Sequence, residues 1–196
     1  MGPWYKVATA RREVREGRSF TLTCHPETRS DAVRSIGARV SRMPLGVLSV
    51  SFSLEGDLDR LSVPPPRPPR FAEGLWRHSC CEIFIAREGL PAYHEFNLAP
   101  SGEWAAYAFE RYRDGAPLAD EELNPKIVLR GGPDKMELDA LIRLDRLSPE
   151  HADARLTLAM SAVIEEEDGS LSYWALKHAP GKPDFHHPDA FALELA

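Results

Sequence analysis

The segment Leu75–Tyr107, LWRHSCCEIFIAREGLPAYHEFNLAPSGEWAAY, decides the fold prediction. Its residues Cys80–Ala86 and Tyr93–Leu98 are short runs in which successive side chains alternate in character, and a third run begins at Glu103. Pro100-Ser101-Gly102, between the second and third runs, is typical of a turn. Period-two alternation bounded by turn residues is typical of β-strands with one buried face. The segment is therefore predicted to be the middle of an antiparallel sheet.

The same alternation extends in both directions along the chain. Inner-face candidates recur in segments around residues 20–24, 36–40, 48–54, 127–129, 136–144, 156–164 and 171–178 and near the C-terminus. The proline-rich run 63–70 cannot join a sheet ladder, so we expect a stiff extended loop that crosses from one sheet to the other. We predict an all-β fold: an antiparallel two-sheet β-sandwich, jelly-roll or immunoglobulin-like, with about ten strands.

Composition limits the partners and the location. The net charge of −6 argues against nonspecific nucleic-acid binding, which depends on lysine and arginine. The sequence has no apolar run long enough for a membrane span, and the N-terminal residues Met1–Lys6 do not resemble a secretory signal. Three cysteines, an odd number, fit a reducing compartment. We therefore expect a cytoplasmic protein without nucleic-acid or membrane partners, and the oligomeric state is left open.

One face of the central strands is rich in carboxylates. Glu95 and Asn97 share a face by alternation, and Glu82 joins them if its strand pairs with theirs. Such a face could be solvated, could hydrogen-bond sugar hydroxyls, or could support paired acid–base catalysis. The sequence leaves these three alternatives open.

A second polar cluster lies near the C-terminus, in the segment Tyr173–His187. It contains Lys177, His178, Lys182, Asp184 and His186 around a loop that Pro180, Gly181 and Pro183 keep out of regular structure. These side chains could bind an anion, a sugar or a metal, or could simply hold the loop by hydrogen bonds. Their spacing matches no zinc signature, and no metal ligand is predicted. No nucleotide-binding loop or nucleophile elbow is present.

Three motifs carry a family resemblance. LWRHSCCEIFIA (75–86), YHEFNLAPSGEWAAYAFERYR (93–113) and SYWALKHAPGKPDFHHPDAFAL (172–193) resemble the bacterial branch of DOMON-like domains, which are similar to family 9 carbohydrate-binding modules. The resemblance extends from about residue 47 to 195. It implies that residues 1–196 form a single DOMON-like β-sandwich domain with a ligand pocket on one sheet. The ligand would be a sugar or, as in some relatives, haem.

The resemblance also implies roles for individual residues. Trp76 and Trp174 would clamp a sugar ring, while the strands of Glu82 and Glu95 would supply polar contacts. Arg77 and His78 replace the acidic pair often found before the first glutamate, which argues against calcium. Haem would need axial ligands such as Met43 and His178, although no motif supports that pair.

The leading hypothesis is a noncatalytic small-ligand-binding protein, with carbohydrate as the first ligand class. One alternative is an enzyme that uses Glu82, His178 and His186 in the same pocket, and another is a haem-binding domain. No catalytic residue or cofactor is assigned. The predicted ligand-binding residues are Trp76, Arg77, His78, Glu82, Glu95, Asn97, Trp174, Lys177, His178, Lys182, Asp184 and His186.

Overall fold

The computed structural model describes residues 17–196, which form twelve strands and several short 3₁₀ helices. The strands are β1 (Arg18–Cys24), β2 (Val33–Met43), β3 (Val47–Gly56), β4 (Cys80–Arg87), β5 (Tyr93–Leu98), β6 (Trp104–Arg111), β7 (Asp114–Pro117), β8 (Lys126–Gly131), β9 (Lys135–Arg143), β10 (Leu156–Glu165), β11 (Leu171–Ala175) and β12 (Leu193–Leu195). The 3₁₀ helices are Leu58–Arg60, Leu75–Arg77, Glu121–Leu123, Leu144–Arg146, Pro149–Ala152 and Pro188–Ala190. The segment Met1–Lys6, which was compared above with secretory signals, lies outside the described residues.

The strands form two antiparallel sheets. The first sheet has the order β1-β2-β3-β9-β8, and the second has the order β7-β6-β5-β4-β10-β11, with β12 also paired to β10. Strand β1 takes part in both sheets: Arg18–Leu22 pair with β2, whereas Thr23 and Cys24 pair with β11. The predicted all-β sandwich is confirmed. No helix in the described part of the chain is long and apolar enough to cross a membrane.

The main core lies between the two sheets and follows the predicted alternation. In β4, Ile83 and Ile85 are buried in this core, while Glu82 and Phe84 face the other side of the sheet. Trp104 and Trp174 also belong to the core cluster, and the Trp104 ring meets Phe71 edge to face, with ring centroids 5.5 Å apart. Because successive side chains of a strand point to opposite faces, the neighbours of each core residue in a strand lie on the outer face of the sheet.

The proline-rich segment connects β3 of the first sheet to β4 of the second, as predicted. It contains no regular structure between residues 62 and 70. Its backbone is held at two points: the Arg67 amide donates to the Ser101 carbonyl at 2.8 Å, and the Trp104 amide donates to the Arg70 carbonyl at 3.1 Å.

Arg67 and Arg70 of this segment meet the buried carboxylate of Glu103, which is only 5% exposed. Arg70 Nη2 lies 2.6 Å from Glu103 Oε1, and the Ser101 hydroxyl donates to Oε2 at 2.9 Å. Burial opposes ionisation, but these hydrogen bonds and the Arg67 charge outweigh it and lower the pKa of Glu103. The fold therefore neutralises this buried carboxylate with two guanidinium groups.

The segment Asp114–Pro117 is not among the alternating runs of the sequence, yet it is a strand. It forms β7, an edge strand that pairs with β6 through a hairpin in which Arg113 has a positive φ of 56°. All four residues of β7 are exposed. An exposed edge strand buries no face and needs no apolar alternation, so the periodic pattern could not reveal it.

Candidate functional site

A cavity of about 500 Å³ lies on the outer face of the second sheet. Its floor is built from outward-facing residues of adjacent strands, because the alternate residues of the same strands fill the core. The C-terminal loop after β11 forms one wall, and the 3₁₀ helix Leu75–Arg77 contributes to the rim. The lining residues are Thr28, Trp76, Glu82, Glu95, Tyr107, Phe109, Arg113, Val163, Tyr173, Lys182, Pro183, Phe185 and His186.

Glu82 and Glu95 form the acidic part of the floor and are only 2% and 5% exposed. The register of β4 and β5 places Glu82 opposite Asn97, so the two glutamates are diagonal neighbours on one face. The Ser161 hydroxyl donates to Glu82 Oε2 at 3.1 Å, and the Asn97 amide donates to Glu95 Oε1 at 2.7 Å. Both partners are neutral.

This environment favours the protonated carboxyl groups. Burial raises the pKa of Glu82 well above its usual range, and the nearby Glu95 charge adds to the effect. Burial also raises the pKa of Glu95 to about 7, although the Asn97 hydrogen bond and the Arg113 charge oppose the shift. Both side chains are therefore harder to ionise than an exposed glutamate. The pair can offer both hydrogen-bond donors and acceptors to a ligand.

His186 lies beside Glu95 on the loop side of the cavity. Its Nε2 is 3.7 Å from Glu95 Oε2, and its Nδ1 is 2.9 Å from the Tyr93 hydroxyl oxygen. Burial and then the Arg113 charge lower the pKa of His186 to about 4. The imidazole is consequently neutral at physiological pH and does not balance a charge on Glu95.

The C-terminal loop is fastened to the β6–β7 hairpin through Asp184. Its carboxylate accepts hydrogen bonds from the Tyr112 hydroxyl at 2.6 Å and from Arg113 Nη2 at 2.8 Å, and it also accepts from the His186 amide at 3.1 Å. Burial opposes ionisation, but these bonds lower the pKa of Asp184. Under the same loop, Phe185 packs against a small apolar cluster on the outer face of the sheet. Asp184 thus positions the cavity wall.

Trp76 is the aromatic residue at the rim, and 48% of its surface is exposed. The 3₁₀ helix that carries it follows Gly74, whose φ of 77° suits glycine. The Arg77 guanidinium lies over the Trp76 ring, 5.1 Å from its centroid. Tyr107, Phe109, Tyr173 and Phe185 add further ring surface to the lining. The cavity therefore combines apolar ring faces with a small number of polar groups.

The prediction that Trp174 clamps a ligand ring is wrong. Trp174 is 6% exposed, belongs to the core between the sheets and donates its indole N–H to the Ser172 hydroxyl at 3.0 Å. Its neighbour Tyr173 lines the cavity instead. The physical reason is the phase of β11, since a shift of one residue reverses the face of every side chain.

The structure brings together five of the predicted residues in the cavity lining: Trp76, Glu82, Glu95, Lys182 and His186. Asn97 and Asp184 lie behind this lining and hold Glu95 and the loop, respectively. Arg77 covers the Trp76 ring.

Three predicted residues lie apart from the cavity. His78 bonds Glu165 Oε2 at 2.8 Å, and His178 bonds the Thr23 carbonyl oxygen at 2.8 Å. Lys177 is exposed on the loop and does not line the cavity. Of the enzyme hypothesis, Glu82 and His186 line the cavity, whereas His178 does not: it packs against His25, with ring centroids 4.9 Å apart, and against the lining residue Phe185 at 6.2 Å.

The sequence interpretation missed several lining residues. Tyr107 was not assigned to the binding residues, although it lies directly opposite Glu95 in the β5–β6 ladder and alternates with the core residue Ala106. Thr28 and Arg113 lie outside the strands, and no periodic pattern marks them. Among residues 17–196, no three His, Cys, Asp or Glu side chains are grouped so that they could hold a metal ion. Met43, considered for haem, ends β2 in the first sheet and is absent from this lining.

Comparison with known proteins identifies the fold. No protein-family model matches the sequence, and no curated protein matches it. Among solved structures, the chain is similar to a protein from Bacteroides uniformis to which carbohydrate binding has been ascribed, with a TM-score of 0.56, 12% identity and coverage of 89% of this chain and 83% of that chain.

The chain is also similar to a family 9 carbohydrate-binding module from Caldicellulosiruptor kristjanssonii in complex with glucose. The TM-score is 0.51 at 11% identity, and the match covers 82% of this chain and 75% of that chain. The protein therefore has the β-sandwich fold found in family 9 carbohydrate-binding modules.

Proposed function

We propose that this protein binds a small carbohydrate in the cavity on the second sheet, without transforming it. The observation that carries the proposal is the meeting of Glu82 and Glu95 with the half-exposed Trp76 in one cavity. A sugar ring has apolar C–H faces and a polar hydroxyl edge. Aromatic walls beside a few oriented polar groups are complementary to both features.

The dimensions and protonation of the cavity support this ligand class. About 500 Å³ accommodates one or two sugar rings. When it carries a proton, Glu82 can donate to one hydroxyl oxygen while its other oxygen accepts from a second hydroxyl. Arg113 and Lys182 supply further donors at the walls.

The fold neighbours support the same ligand class. The Caldicellulosiruptor kristjanssonii module was solved with glucose bound, and its fold is shared by this chain. Extending sugar binding to this chain is our proposal, as are its DOMON-like character, its cytoplasmic location and the assignment of residues 1–196 to one domain.

The test is isothermal titration calorimetry of the full chain against glucose, cellobiose and a panel of other monosaccharides. Saturable binding that is lost in Glu82→Ala, which removes both the donor and the acceptor, supports the proposal, with Glu137→Ala on the outer face of β9 as the matched control. Absence of binding across the panel would contradict it. Proton NMR of the same sugars after prolonged incubation separates binding from catalysis, because a noncatalytic site leaves their spectra unchanged.

A further inference from the structure

The carboxyl groups of Glu82 and Glu95 have no cationic partner in the described part of the chain. Their hydrogen bonds come from the neutral Ser161 and Asn97, and the nearest basic group is the His186 imidazole at 3.7 Å. Glu82 Oε1 and Glu95 Oε2 receive no hydrogen bond from residues 17–196. The remaining acceptor capacity of both side chains is available at the cavity.

The other cations at the cavity do not form ion pairs with Glu82 or Glu95. Arg113 forms its ion pair with Asp184 at 2.8 Å, and its charge acts on Glu95 without an ion pair between the two side chains. Lys182 is exposed on the C-terminal loop and forms no ion pair with the residues that the structure describes. The acidic floor therefore stays without a fixed counter-charge.

Glu103 provides an internal comparison. It is as buried as Glu95, yet Arg67 and Arg70 both lie within ion-pair distance of its oxygens. A buried carboxylate is expensive unless it is paired or protonated. The same fold thus pairs the Glu103 carboxylate with two guanidinium groups and leaves the two adjacent glutamates of the cavity floor without a cation. This contrast points to a counter-charge that arrives with the ligand.

We propose that the ligand is an amino sugar whose protonated amine lies against Glu82 and Glu95. This inference rests on the proposed sugar-binding function. An ammonium group can donate three hydrogen bonds, so it has donors for acceptors on both glutamates of the floor, while the ring hydroxyls remain for the other polar groups. The aromatic lining contributes as well, because the faces of Trp76, Tyr107 and Tyr173 attract a cation.

The experiment compares glucosamine, glucose and N-acetylglucosamine by calorimetry at pH 7 and constant ionic strength. Glucosamine is expected to bind the wild-type protein about tenfold more tightly than glucose, since charge-assisted hydrogen bonds are stronger than neutral ones. N-acetylglucosamine keeps the nitrogen but loses the charge, so it should show no such advantage. Raising the salt concentration should reduce the glucosamine advantage.

Variants of Glu95 and Glu82 test whether these side chains cause the preference for glucosamine. In Glu95→Gln, which keeps an oxygen to accept from Asn97, the glucosamine-to-glucose affinity ratio should fall close to one. Glu82→Gln provides the same test if the first variant does not fold, as judged by circular dichroism. The control Glu137→Gln should retain the ratio.

The possible failures are distinguishable. Equal or weaker binding of glucosamine than of glucose would overturn this inference and leave sugar binding intact. A glucosamine advantage that persists in both glutamine variants would also overturn it, because the carboxylates would not be its source. If none of the three sugars binds, the proposed function and this inference both fail.

Discussion

Trp76→Ala is expected to weaken sugar binding strongly while leaving the unfolding free energy nearly unchanged. A tryptophan side chain can bury up to about 250 Å². Because 48% of Trp76 is exposed, roughly 120 Å² remains for a ligand. A sugar that covers half of this surface removes about 60 Å² of indole and a similar area of its own from water, about 120 Å² in all. At about 25 cal/mol per Å², the loss is about 3 kcal/mol, or about a hundredfold in Kd.

Calorimetric titration measures the affinity, and differential scanning calorimetry measures the thermal midpoint. Trp76 is not a member of the main core cluster, so its removal should cost less than about 1 kcal/mol and shift the midpoint by less than about 4 °C. An unchanged Kd, or a large loss of stability, would refute the assignment of Trp76 to a ligand-binding rim.

Trp174→Phe is the matched comparison, because Trp174 lies in the core and bonds Ser172. This variant should lose about 1–3 kcal/mol of stability through the lost hydrogen bond and the space left in the core. Its affinity for sugar should change by less than about twofold. Trp76→Ala should therefore lower the affinity with little change in stability, whereas Trp174→Phe should lower the stability with little change in affinity.

Three further predictions concern charged groups. Glu103→Gln should lower the unfolding free energy by roughly 1–3 kcal/mol at pH 7, because Arg67 and Arg70 lose a charged acceptor. Since the folded state depresses the pKa of Glu103, this difference from wild type should disappear in urea titrations as the pH falls through that lowered pKa. Glu95→Gln should have the opposite pH dependence. Because the folded state raises the pKa of Glu95 to about 7, wild type loses stability as the pH rises from the unfolded-state pKa toward 7. The variant should therefore gain on the order of 2 kcal/mol relative to wild type at pH 8 and less at pH 5. An equal effect at both pH values would contradict the buried-carboxyl explanation. Asp184→Asn should weaken sugar binding severalfold and speed amide hydrogen exchange in residues 177–191, and unchanged exchange there would show that Asp184 does not hold the loop.

The alternation in β4 and β5 was sufficient to place Glu82 and Glu95 on one face, and the structure confirms that placement. The assignment of Trp174 to the site came from the family resemblance, and alternation could not correct it at β11, where Ser172 and Trp174 share one face and Tyr173 and Ala175 the other. Both faces contain one aromatic and one small residue, so local composition did not determine which was inside. Pairing with β1 and β10, which are distant in sequence, fixes the choice.

Loop residues were predicted less well for a different reason. His78 and His178 have the chemistry of a binding site, but their partners are Glu165 and the Thr23 carbonyl, which lie far away along the chain. Local sequence carries no information on which distant acceptor a loop histidine will meet. Asp184 was assigned to the ligand-binding residues, while the sequence also left open that it holds the loop by hydrogen bonds, and its contacts with Tyr112 and Arg113 support the second role.

Strand β1 gives the molecule a mechanical property through its membership of both sheets. Its first residues are hydrogen-bonded to β2 and its last two to β11, and the following His25 amide continues to the Tyr173 carbonyl at 2.8 Å. A force that shears one layer past the other must therefore break this covalently continuous strand away from one of its ladders. Separating the two sheets at β1 therefore requires breaking backbone hydrogen bonds, so we expect both sheets to unfold in one cooperative step.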